Sequence, residues 1–262
     1  METGSEAILL SGQSGGVATL TLNRPAARNA LSVALMSELE AALARLAADP
    51  TVKAVVLAAN GPAFCSGHDL KEMHGLRGRE AVASVFDQCV RVMTAIVRQP
   101  QPVIAKVHAM ATAAGCQLVA SCDLAFAADT ARFATPGVNI GLFCSTPMVA
   151  LSRGIGRKAA MEMLLTGHPI DAATAERWGL INRAVPSETL DTVTAEIAAL
   201  IAAKSSFTVK TGKEAFYRQA EMGLDEAYAY AARVMTENML AADAAEGIDA
   251  FLSKRPPVWR ED

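Results

Sequence analysis

Apolar and polar residues alternate from Val17 to Leu22, the two-residue period of a half-buried strand, and the run stops at Asn23-Arg24-Pro25. From Ser32, a suitable helix N-cap, Leu35, Met36, Leu39, Leu43 and Leu46 recur at helical spacing until Asp49-Pro50 ends the run. Val52 to Ala59 is a short apolar, β-branched run of the buried-strand kind. The opening therefore reads β, α, β. A loop from Asn60 to Leu70 precedes a helix over 81–98, which Pro100 and Pro102 stop. Val103 to Val107 reads as another buried strand, the small residues from Ala109 to Cys122 turn into a helix, and Asp123 to Ala127 returns to strand. Strands separated by helices imply parallel crossovers, with ligand sites outside the strand ends.

Beyond about Arg157 helices dominate, at 157–165, 172–178, 187–204, 206–222, 224–240 and 244–254, with one extended stretch at 183–185. This shift predicts a core over 1–203 and a helical region over 204–262. With 52% hydrophobic and 19% charged residues the chain is not a disordered one, and only 5% aromatic leaves the core to aliphatic and alanine side chains. The net charge of −3 and the lack of a long basic run argue against nucleic acid and anionic membranes as partners. Met1 to Leu10, with Glu2 and Glu6 and no basic cluster, does not read as a signal peptide. Apolar runs such as Ile197 to Ala203 fall far short of the roughly 20 residues a bilayer requires. Five cysteines (Cys65, Cys89, Cys116, Cys122 and Cys144) include no CxxC pair; they read as reduced thiols of a cytoplasmic protein, and no metal constellation accompanies them.

Two glycine-containing loops follow predicted buried strands. One runs Ala63-Phe64-Cys65-Ser66-Gly67-His68-Asp69-Leu70-Lys71, the other Ala111-Thr112-Ala113-Ala114-Gly115-Cys116-Gln117-Leu118. Each joins a strand to a helix and can present free backbone N–H groups; two such groups converging on one oxygen make an oxyanion hole. Alternatively, Gly67 and Gly115 serve only tight turns or close packing. Asp69 suits a cap for the helix that follows, and His74, His108 and His168 read as surface or locally bonded residues.

These loops also carry a resemblance. Leu22-Asn23-Arg24-Pro25, Asn29-Ala30-Leu31, Ser66-Gly67-His68-Asp69-Leu70, Ala111 to Asp123, Phe133-Ala134-Thr135-Pro136, Met161 to Gly167, Ala175 to Leu180 and Glu246 to Arg255 together resemble the enoyl-CoA hydratase/isomerase (crotonase) superfamily. The order and spacing of these segments cover nearly the whole chain. The resemblance implies an α/β fold of the crotonase type, a spiral of ββα turns with a C-terminal helical region, assembled as a trimer or a pair of trimers. It implies no cofactor beyond the coenzyme A thioester that serves as substrate or ligand, and a place in fatty-acid metabolism. The N–H groups of His68 and Ala114 would hold the thioester oxygen.

The acid and base positions depart from the family pattern. Hydratases of the family carry two glutamates where this chain has Gln117 and Gly137. An amide cannot take a proton from water at a useful rate and glycine has no side chain, so two-carboxylate hydration is disfavoured. An acyl-CoA decarboxylase, resembled in the Gly-His-Asp loop and Pro-x-x-Asn segment, and a non-catalytic acyl-CoA-binding protein are the alternatives. Asn139, Cys144 and Ser145 are candidates to line the acyl group. By the same resemblance, Ser66, Gly67, Asp69, Leu70 and Lys71 would follow the pantetheine and phosphates, Arg24 would approach the nucleotide, and Phe251 and Lys254 would reach the adenine end.

Overall fold

In the computed structural model, which describes residues 7–260, the chain winds through two sheets. Glu2 and Glu6 of the opening stretch lie outside the described residues. Strands β1 (Leu9–Ser14) and β2 (Val17–Leu22) pair antiparallel across Gly15 and Gly16, whose positive φ makes the turn possible. The sequence pattern does not announce β1, because only its first residue is buried and an edge strand wet on both faces carries no alternation. Helix α1 (Val33–Ala48) begins where Ser32 Oγ accepts the N–H of Leu35, and it buries Leu35, Met36, Leu39, Ala42 and Leu43.

The chain then repeats one unit: a longer strand, a very short strand, then helix. The first repeat is β3 (Ala54–Ala59), β4 (Ala63–Cys65), α2 (Leu70–Gly75) and α3 (Arg79–Arg98). The second is β5 (Val103–Val107), β6 (Met110–Thr112) and α4 (Ala114–Ser121). The third is β7 (Leu124–Ala128), β8 (Arg132–Ala134), a 3₁₀ turn over Pro136–Ile140, then α5 (Ser145–Gly154) and α6 (Arg157–Thr166). Next come β9 (Ile170–Asp171), α7 (Ala172–Trp178) and β10 (Arg183–Val185). The longer strands make a sheet ordered β1-β2-β3-β5-β7-β10, parallel beyond its first pair; the short ones make a second sheet, β4-β6-β8-β9. This is the expected ββα spiral, with a correction. The stretch read as an uninterrupted loop over 60–70 contains β4, and β6, β8, β9 and α5 had no counterpart in the pattern. Strands of two or three residues are too short to show a period.

Helix α8 (Leu190–Ala202) lies against the large sheet, where Leu190 and Ala198 join Val56, Ile104, Phe126 and Ala128 in a separate apolar cluster. The main core lies on the sheet's other face and reaches α4, of which seven of eight residues are buried. Among the described residues no single helix is long and apolar enough to cross a membrane.

After α8 the chain bends by 104° into α9 (Ser206–Gln219), followed by α10 (Leu224–Leu240) and α11 (Ala242–Leu252). Neither α9 nor α10 fully buries a residue, whereas α11 buries Asp243 and Ala250, and polar contacts tie α9 to the core. Lys213 is the principal one. Its Nζ donates to Asp123 Oδ2 at 2.6 Å and to the carbonyls of Ile96 and Gln101, both at 3.1 Å. Tyr217 donates to the other Asp123 oxygen at 3.0 Å, and the Val103 N–H adds a third donor to that carboxylate. Burial pulls the Lys213 ammonium below its ordinary range while Asp123 opposes that shift. Farther along, the Trp259 indole donates to Ala203 O at the bend.

Because Lys213 is 7% and Asp123 15% exposed at the side chain, removing one partner strands the other. Lys213→Met is expected to cost about 3 to 5 kcal/mol in denaturant unfolding; a loss near zero would show that the arm is held some other way.

Candidate active site

The loop after β4 is pinned from both sides. Leu31 N–H donates to Gly67 O at 2.7 Å and Asp69 N–H donates to Leu31 O at 3.1 Å, a parallel bridge that uses the groups flanking His68. The His68 N–H therefore points away from Leu31. On the other side Thr112 Oγ1, at the end of β6, donates to Ser66 O at 3.0 Å. Asp69 caps α2 by accepting from Lys71 N–H, and its carboxylate also meets Arg24, whose guanidinium reaches Ala30 O as well. These contacts hold the Asp69 carboxyl below its ordinary range against the opposing effect of burial, which is the largest single influence on it.

The loop after β6 carries its own strain. Ala113 has φ 50° and ψ −120°, a conformation that favours glycine and costs a residue with a side chain on the order of 1 to 3 kcal/mol. Its N–H donates to Ala134 O and its carbonyl accepts the first helical bond of α4, from Gln117 N–H at 3.0 Å. Ala114 opens that helix, so its N–H has no acceptor one turn back.

The two loops meet. A side chain on Gly67, which has φ +92°, would begin 2.9 Å from Ala113 Cβ and 3.4 Å from Ala114 N. A side chain on Gly115 would begin 2.1 Å from Cys65 O. Glycine is required at both places by close packing, and that same packing sets two N–H groups, those of His68 and Ala114, at adjoining strand ends without a partner among the described residues.

The His68 ring stands edge-on to Phe86, centroids 5.3 Å apart, and burial depresses its pKa, so the imidazole is neutral. Both ring nitrogens are buried without a hydrogen-bond partner among the described residues. Gln117 is buried on α4, its Oε1 likewise unpaired. Gln117 is also among the residues bordering a groove of about 1350 Å³ between α3, α4, α5 and α9. Thr135, missed in the sequence, is fully buried at the end of β8 with its hydroxyl unpaired. Nothing in its neighbourhood along the chain marks it; only the placement of β8 beside β6 does.

Gly137 is closed. A Cβ there would lie 2.4 Å from Leu142 O and 2.9 Å from Cys144 Sγ, because Leu142 N–H turns back onto Gly137 O at 2.9 Å. Position 137 thus lacks the space for a side chain as well as the side chain. Of the acyl-lining candidates, Cys144 is buried beside Gly137 with its thiol pushed up by burial, whereas Asn139 and Ser145 are exposed. Lys71 and Leu70 are exposed on α2, and Phe251 and Lys254 are exposed at the far end of α11. His108 is locally bonded to Gly61 O, while His74 and His168 are at the surface. All five cysteines are free thiols, and no cluster of metal-ligating side chains occurs among the described residues.

A family model described as enoyl-CoA hydratase/isomerase matches residues 12–262. The chain is 48% identical over 247 residues to the mitochondrial enoyl-CoA hydratase domain-containing protein 3 of Rattus norvegicus, covering 94% of this chain and 82% of the relative. The crystal structure of the human enoyl-CoA hydratase domain-containing protein 3 superposes with a TM-score of 0.94 at 47% identity, covering 97% of this chain and all of that one. An enoyl-CoA hydratase structure from Mycobacterium smegmatis gives 0.95 at 54% identity, over 97% and 99% of the two chains. The mitochondrial names of the rat and human relatives overturn the cytoplasmic expectation. Reduced thiols mark a reducing environment, not an address.

Gly137→Ala is expected to lower stability by about 1 to 3 kcal/mol, measured by thermal or denaturant unfolding, because the backbone at Leu142 must move. An unchanged midpoint would show that the position has room for a side chain.

Proposed function

The chain belongs to the enoyl-CoA hydratase/isomerase family, and on that premise we propose that it binds an acyl-CoA thioester and polarises the carbonyl between the N–H groups of His68 and Ala114. The observation that carries this reading is the close approach of Gly67 to Ala113 and Ala114, beside which neither N–H group has a partner among the described residues. Chemistry next to a thioester builds enolate charge on its oxygen. Two donors already in place stabilise that charge without reorganising; removal of one such donor in other enzymes costs about 3 to 4 kcal/mol.

The proton-handling half of a hydratase is not supported. Gln117 is a neutral amide, Gly137 has neither side chain nor space for one, and the Cys144 thiol stays protonated. His68 is neutral and could accept a proton, yet both its nitrogens are enclosed. Reactions that create the enolate without a base, such as loss of carbon dioxide from a carboxylated acyl group, need only the hole.

For the CoA portion, the 66–71 segment follows the pantetheine, Lys71 and Lys254 supply positive charge for the phosphates, and Phe251 offers an apolar face for the adenine. Arg24 acts through Asp69, holding the loop in place.

Self-association completes the reading. Leu224, Tyr228, Met235 and Met239 share one exposed face of α10, while Ile140, Leu142 and Phe143 are exposed beside the site. Apolar surface on this scale is the kind that other copies of the chain cover, as a trimer or pair of trimers.

Incubation with crotonyl-CoA and with methylmalonyl-CoA, followed by calorimetry and by turnover, tests the first claim. Binding without hydration of crotonyl-CoA is expected, and turnover of methylmalonyl-CoA would assign decarboxylation; measurable crotonyl-CoA hydration would refute the reading of Gln117 and Gly137. For assembly, sedimentation of the wild type as a trimer or hexamer is expected, with Tyr228→Asp and Met239→Asp together shifting it toward monomer. A wild-type monomer at micromolar concentration would contradict it.

A further inference from the structure

The loops that carry the N–H groups of His68 and Ala114 are joined behind those groups by a single side chain. Paired β4 and β6 end their register at Cys65 with Ala111. Past that pair, among the described residues, one hydrogen bond donated by a side chain crosses from loop to loop, from Thr112 Oγ1 to Ser66 O at 3.0 Å. It links the residue two before Ala114 to the residue two before His68. The remaining bonds of the first loop run elsewhere. Ser66 N–H donates to Arg28 O at 3.1 Å, Gly67 O accepts from Leu31 N–H, and Asp69 N–H donates to Leu31 O. Those three hold the His68 N–H relative to the 28–31 segment and leave open its placement relative to Ala114.

The restraint falls where the backbone itself resists least. Ser66 O belongs to the peptide that leads into Gly67, and Gly67 has φ +92°. A turn of that peptide changes φ at Gly67, and glycine follows such a change without steric cost. Close packing demands glycine here, since a Cβ would lie 2.9 Å from Ala113 Cβ and 3.2 Å from Thr112 O. The residue that lets the loops meet is therefore also the one that lets the first loop rotate. We propose that Thr112 is a positioning residue for the thioester: its hydroxyl holds the Ser66–Gly67 peptide so that the His68 and Ala114 N–H groups address one oxygen. Valine has the same shape and no donor. With valine at 112 the peptide is free to turn, and both bonds to the thioester oxygen weaken as their distance and angle drift.

This inference rests on the acyl-CoA reading above, and the experiment separates the two. Infrared difference spectra of butyryl-CoA with an isotope-labelled carbonyl, bound to the full chain, report how strongly that carbonyl is polarised, and calorimetry reports its affinity. The wild type is expected to lower the carbonyl stretch relative to the free thioester. Thr112→Val should return most of that shift and weaken binding about three- to tenfold, the worth of roughly one net hydrogen bond. Thr112→Ser, which keeps the hydroxyl, should keep the shift. Thr112→Cys, a weak donor of similar size, should give an intermediate stretch and carries the test if the valine variant does not fold. A Thr112→Val or Thr112→Cys protein that is easier to unfold yet holds the wild-type stretch has lost a structural bond only, and overturns the inference. So does a folded Thr112→Ser protein that loses the shift. A wild type that fails to bind the thioester, or binds it without lowering its stretch, overturns the hole itself and this inference with it.

Discussion

Two chain segments approach so closely that each needs a glycine at the contact, and the rest of the site is built around that approach. Gly115 sits against Cys65 O and Gly67 against Ala113, at the ends of β4 and β6. Gly115 faces a backbone carbonyl and Gly67 faces the Cβ of an alanine, which has no rotamers, so no rotamer change can widen the contact. It is supported by strand pairing behind it, by the Leu31 bridge on one side and by Thr112 on the other. Hydrogen-bond donors fixed in this way are stronger partners for a developing charge than flexible side chains, because they do not reorganise as the charge appears.

The surroundings divide into parts of different rigidity. The spiral packs α4 into the core and covers the large sheet with α8. The arm from α9 to α11 is different in kind. It touches the core through Lys213, Tyr217 and the Asp123 carboxylate, and its apolar face on α10 is turned outward. A helix such as α10, with no fully buried residue and an apolar face turned outward, gains stability from whatever covers that face. The groove beneath α9, which Gln117 borders, is therefore shaped by both the core and the placement of the arm.

Much of this was legible in the chain. The Ser32 cap, the α1 stripe, the strand at 103–107, and α10 over 224–240 emerge from periodicity because each is long or sharply bounded. The short strands β4, β6 and β8 do not, since three residues carry no period, and they exist because neighbouring chain segments pair with them. In the site, the glycine loops and the absent carboxylates can be read directly. The closure of Gly137 by Leu142 O cannot, nor can Thr135, nor the pairing of Lys213 with an aspartate 90 residues away. Those facts belong to the meeting of distant segments. Cysteine usage was the clearest overreach: it speaks of redox conditions and was asked to name a compartment.

The strain at Ala113 has a consequence for the residue four positions on. With φ 50° and ψ −120°, Ala113 would be more comfortable if the peptide linking it to Ala114 turned over into the left-handed helical region. Such a turn would swing the Ala114 N–H away and bring a carbonyl oxygen toward the proposed oxyanion hole, reversing its polarity. The Ala113 carbonyl is restrained by the bond it accepts from Gln117 N–H. Position 117, whose side chain is a neutral amide, thus acts as a latch through its main chain. Evolution is free to exchange the side chain there, but proline, which has no N–H to give, would release the peptide and let the site invert.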